Sequence, residues 1–63
     1  MSLTEQIIET VERARDLSLS DNETDETLYA IGCTRVIRIG DTVIVYYLDQ
    51  ARERFVVFEF RSK

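Results

Sequence analysis

The residue types that could carry chemistry in this chain are one thiol, twelve carboxylates and a group of arginines interleaved with aromatics. Cys33 is the only cysteine, and there is no histidine to take its proton. A thiol attacks as the thiolate, so without a neighbouring base it stays a poor nucleophile. Set in an apolar run between Gly32 and Thr34, it reads as a buried structural residue. Asp21, Glu23 and Asp25 fall at the alternate positions of a calcium loop, but Glu26 stands where such a loop turns on glycine. Gly32 stands where the loop needs a bidentate glutamate. With two glycines in all, no phosphate cradle is present, and cages of Cys and His are excluded. These patterns predict no enzyme, no cofactor and no bound metal.

Arginines and aromatics offer binding chemistry instead. Arg35, Arg38, Tyr46 and Arg61 lie on or beside the strands predicted below, with Tyr47, Phe55 and Arg54 close by. A sheet that presents arginines and aromatic rings can grip single-stranded nucleic acid by ion pairing and stacking. The chain nevertheless carries a net charge of -4 and has no basic run, so this contact set is the alternative reading. The simpler role for Arg38 is a cross-strand pair with Glu59 on one sheet face.

The segment Arg38-Ile39-Gly40-Asp41, followed by Val43-Ile44-Val45-Tyr46 and a Val/Phe-rich strand ending at Arg61, resembles the C-terminal β-meander of RelE/ParE-like toxins. That resemblance implies a toxin-type effector with Arg38, Tyr46 and Arg61 on its functional face. It covers less than half of the chain. Thr42 and Val43 replace the aromatic and basic residues the family favours there, and the leading strand is missing.

The elements that position these residues follow from periodicity. Ser2-Leu3-Thr4-Glu5 is a capping box, in which the Ser2 hydroxyl accepts from the Glu5 amide and the Glu5 carboxylate reaches back to the amide of Ser2. Leu3, Ile7, Val11 and Ala14 then recur at helical spacing, with Ile8 widening the stripe, which predicts an amphipathic helix over about 3–17. Residues 18–26 are polar and acidic and read as a linker running into a strand. The alternative is a second short helix near residues 21–31, started by the box Ser20-Asp21-Asn22-Glu23 and stopped by Gly32. Thr24 and Thr27 weigh against that helix because β-branched residues propagate helices poorly.

A β-meander over about 28–61 completes a single small α+β domain: an N-terminal helix packed on a three-stranded antiparallel sheet. Gly40-Asp41 predicts a two-residue type II′ turn, pairing Ile39 with Thr42, Ile37 with Ile44 and Arg35 with Tyr46, and placing Cys33 opposite Leu48. A five-residue loop at 49–53 would pair Tyr46 with Val56, Ile44 with Phe58 and Thr42 with Phe60. One face then carries Cys33, Ile37, Ile39, Ile44, Tyr46, Leu48, Val56, Phe58 and Phe60, and is assigned to the helix. The other carries Val36, Val43, Val45, Tyr47, Phe55 and Val57, beside Arg38 and Glu59.

One helix can cover one face only. Val36, Val43, Val45, Tyr47, Phe55 and Val57 are therefore the predicted partner-binding residues, and the expected function is a small interaction or regulatory protein. At 63 residues, with no disulfide or metal available, a homodimer or small oligomer is the remaining staple, and a different protein partner is the other occupant of that face. Charge is lopsided: residues 1–26 hold eight carboxylates and two arginines, residues 27–63 four carboxylates and six basic groups. The lone cysteine, the lack of a signal-like N-terminus and the absence of a long apolar run predict a cytoplasmic protein with no membrane contact.

Overall fold

The computed structural model describes residues 2–61. It contains helix α1 (Leu3–Asp16), helix α2 (Asp21–Ala30) and strands β1 (Arg35–Ile39), β2 (Thr42–Asp49) and β3 (Arg54–Arg61). The strands form one antiparallel sheet in the order β1-β2-β3, giving the expected α+β composition. The chain divides into two compact units, a helical one ending at Gly32 and a sheet unit beginning at Cys33.

In the helical unit, α1 starts as its capping sequence predicts. The Ser2 hydroxyl accepts from the Glu5 amide at 3.2 Å and donates to Glu5 Oε1 at 3.2 Å, so the return bond runs to the hydroxyl. Glu9 and Arg13, one turn apart, pair at 2.6 Å. Ile7 and Val11 are buried, while Ile8 lies at the exposed edge of the stripe. The helix ends in a Schellman arrangement, with the Leu19 amide bonded to the Ala14 carbonyl and the Ser18 amide to that of Arg15. Ser18 takes the left-handed position at φ 51° that glycine usually fills.

Residues 21–30 are helical, which corrects the linker expectation in favour of the second helix; the first strand accordingly begins at Arg35, not near residue 28. Ser20 caps α2 by accepting from the Glu23 amide at 3.2 Å, and Asp21 and Glu23 sit in its first turn, where carboxylates favour the helix dipole. The threonines that argued against it have a local use. Thr24 and Thr27 each donate a hydroxyl hydrogen bond to the carbonyl four residues back, at 3.0 Å. Leu28 and Thr24 are buried, and α1 and α2 contact one another. Each of Ile7, Val11 and Leu28 contributes about 1.5–3 kcal/mol by leaving water.

In the sheet unit, β1 and β2 pair in the predicted register, Ile39 opposite Thr42 through Arg35 opposite Tyr46. Gly40 has φ +57° while Asp41 is not left-handed, the pattern of a type II′ turn. Thr34 extends the junction by donating its amide (2.9 Å) and hydroxyl (3.2 Å) to the Tyr46 carbonyl. Cys33 lies outside the ladder, so its expected pairing with Leu48 is absent.

The second hairpin departs from expectation by one residue. Asp49 pairs with Arg54, leaving a four-residue loop at 50–53, and Tyr46 faces Val57, not Val56. Asp49 behaves as a strand residue whose side chain closes the turn: Oδ1 accepts from the Arg52 amide at 3.4 Å, and Oδ2 lies 4.0 Å from the Arg52 guanidinium. Glu53 then reverses the chain in a left-handed conformation at φ 51°. Because side chains alternate, this slip moves all of β3 to the opposite faces.

Candidate interaction face

The register sorts the sheet into two unequal faces. Val36, Arg38, Val43, Val45, Tyr47, Val56, Phe58 and Phe60 share the first. Val45 is wholly buried there, flanked by Val36 on β1 and Phe58 on β3. Tyr47 stacks on Phe58 with centroids 5.8 Å apart, and Phe58 tilts against Phe60 at 6.3 Å.

Ile37, Ile39, Ile44, Tyr46, Leu48, Phe55 and Val57 share the second face, with Arg35 and the Arg61–Glu59 pair at its ends. Here Phe55 is 65% exposed, Ile39 63%, Val57 52% and Leu48 41%. Four large apolar side chains are open to water on one sheet face, Leu48, Phe55 and Val57 clustered at one end and Ile39 at the other, the kind of exposure that marks contact surfaces. A shallow depression of about 410 Å³, lined by Thr34, Arg35, Tyr46 and Phe55, lies at one end of the face.

The predicted partner-binding residues are therefore divided. Val36, Val43, Val45 and Tyr47 occupy the better-buried face, and Phe55 and Val57 the exposed one. The face assigned to the interior by sequence is the one that carries the exposed Ile39 and Leu48. The cause is the single-residue slip in the second hairpin. Its signal was Asp49, whose short acceptor side chain favours the residue just before a turn as much as a place within it.

The alternative nucleic-acid contacts are divided as well. Arg35, Tyr46 and Arg61 are on the exposed face, but Arg38 points to the other, and Arg35 and Arg61 stand at opposite ends of the sheet. Arg61 is already engaged by Glu59 at 2.6 Å. Arg38 and Glu59 do not share a face as expected, because Arg38 is opposite Val43 and Glu59 opposite Ile44, whose side chains point to opposite sides of the sheet. For the same reason Arg38, Tyr46 and Arg61 do not make the single functional face that the toxin resemblance implied.

Cys33 is buried, and burial pushes its thiol above the ordinary range by disfavouring the thiolate. At neutral pH it is a protonated, shielded sulfur. Among the described residues, no group of three or more His, Cys, Asp or Glu side chains could hold a metal ion, and no helix is long and apolar enough to cross a membrane. Comparison of the chain with protein-family models, with curated proteins and with solved structures finds no match.

Proposed function

We propose that this chain is a small non-enzymatic interaction protein that associates through the exposed sheet face, with a second copy or a protein partner covering Phe55 and Val57. One observation carries this reading: Ile39, Leu48, Phe55 and Val57 lie open to solvent on the same face of one sheet. Being 41–65% exposed, each of these side chains forgoes about half of the roughly 1.5–3 kcal/mol that full burial gives, which together is a large share of the stability of a 63-residue chain. Association recovers it. The reading keeps the predicted role but moves it to the opposite face of β1 and β2.

Phe55→Glu tests it. Phe55 is mostly exposed, so the variant should fold with an unchanged circular dichroism spectrum. Sedimentation equilibrium should show wild type above its 7.4 kDa chain mass and the variant shifted toward that mass. Equal masses for the two chains would remove Phe55 from the contact. A nucleic-acid role has less support, since Arg38 is on the wrong face and Arg61 is held by Glu59.

A further inference from the structure

The sheet has a step where β1 begins. β2 runs on from Tyr46, the last residue opposite β1, to Asp49, and β3 stays paired with it as far as Arg54. The depression of about 410 Å³ lies at this step, and its lining residues Thr34, Arg35, Tyr46 and Phe55 all belong to the sheet unit. Tyr46 stands between the other two large side chains. Arg35 is directly across from it on β1, and Phe55 is diagonal to it on β3, where it pairs with Leu48. We infer that this depression binds a small aromatic acid carrying one negative charge, its carboxylate on the Arg35 guanidinium and its ring against Phe55 and Tyr46. The site goes beyond the proposed association and does not depend on it.

The charge fits one carboxylate. Arg35 is exposed, and among the described residues it forms no ion pair. The other charges on this face, Glu59 and Arg61, hold each other at 2.6 Å. Asp49 and Arg54, paired at the end of the ladder, belong to the opposite face. A guanidinium presents a planar fork that a carboxylate fills with two parallel hydrogen bonds. Thr34 already commits its hydroxyl hydrogen to the Tyr46 carbonyl, so Arg35 is the anchor. No second cation lines the depression, and the chain carries a net charge of -4, which disfavours phosphates and polyanions.

The lining fits a ring. Phe55 is 65% exposed and Tyr46 partly so, and aromatic pairs gain attraction beyond the area they bury. The volume is at the small end of the roughly 300–1,000 Å³ that ligand sites span. Phe55 also belongs to the proposed association surface, so the acid and a partner exclude one another there.

Titration of the chain with 3-phenylpropionate, followed by NMR, tests the site. Saturable shifts should centre on Arg35, Tyr46 and Phe55, with a Kd on the order of a millimolar for a ligand of this size. The neutral 3-phenylpropanamide and the ringless-π analogue 3-cyclohexylpropionate should bind more weakly, the amide by about tenfold. Arg35→Gln should lose the preference for acid over amide, and Arg35→Lys should restore part of it. A parallel titration of Val57→Ser, which weakens the association surface without altering a lining residue, separates the two readings. Absence of binding in both chains, equal binding of acid and amide, tighter binding of phenyl phosphate, or shifts centred elsewhere overturns the acid site and leaves association standing. A wild type that sediments as a monomer at every concentration overturns association and leaves the acid site to the titration.

Discussion

The two faces of this sheet are built from nearly the same residue types and end in opposite environments. On one, Val45 is fully buried and Tyr47, Phe58 and Phe60 pack ring against ring. On the other, Phe55 and Val57 are more than half exposed, and Ile39 with them. Apolar content therefore does not decide which face is interior. The decision rests on register, which gathers two of the three β3 aromatics behind Val45 and leaves one in water.

The largest expected effect comes from one substitution made on each face. Val45→Ala removes two methyl groups from a fully buried site and should cost about 2 kcal/mol, whereas Val57→Ala at its half-exposed site should cost about 0.5 kcal/mol. Urea unfolding of the two variants reads the difference as a shift in midpoint at constant slope. Equal midpoints would erase the distinction between the faces.

A second pair of variants sharpens the role of the turn that sets the register. Glu53 and Ser18 both hold left-handed backbone at φ 51°, which costs a side-chain-bearing residue about 1 kcal/mol or more. Glu53→Gly and Ser18→Gly relieve that strain and give part of it back through the freer unfolded chain. Each should stabilise by about 0.5 kcal/mol, measured by thermal unfolding. Loss of stability in Glu53→Gly would mean that its side chain contributes more than its conformation costs.

The smallest effect belongs to Cys33. Its folded-state thiol is raised by burial, so folding favours the protonated form. That contribution is fully present below the thiol's unfolded value, near 8.5, and is lost as pH rises through the folded value. Stability should therefore hold level with respect to this group up to about pH 8 and fall above it. Alkylation of the native protein by iodoacetamide should be far slower than that of the urea-unfolded chain. Equal rates would show an accessible thiolate.

These contrasts explain which parts of the molecule are legible in sequence. The first hairpin is, because Gly40 both supplies the left-handed residue and fixes a two-residue loop, and the pairs from Ile39–Thr42 to Arg35–Tyr46 follow, though not Cys33 with Leu48. The second hairpin is not: its left-handed residue is a glutamate, so nothing in the composition of 49–53 marks where the strand stops. Helix α1 is legible from its apolar spacing and cap. Helix α2 carried equally clear ends at Ser20 and Gly32, but its interior threonines obscured it until their hydroxyls found carbonyls one turn back. The candidate site inherited the hairpin error. Phe55 and Val57 lie on the exposed face, and the β1 and β2 residues grouped with them lie on the other.

The most direct test of the account is a dilution series followed by NMR of the Val, Ile and Phe side chains. Association through the exposed face predicts concentration-dependent shifts for Phe55 and Val57, with Val36 and Val45 unchanged. Shifts confined to Val36 and Val45, or none over the full range, would contradict it.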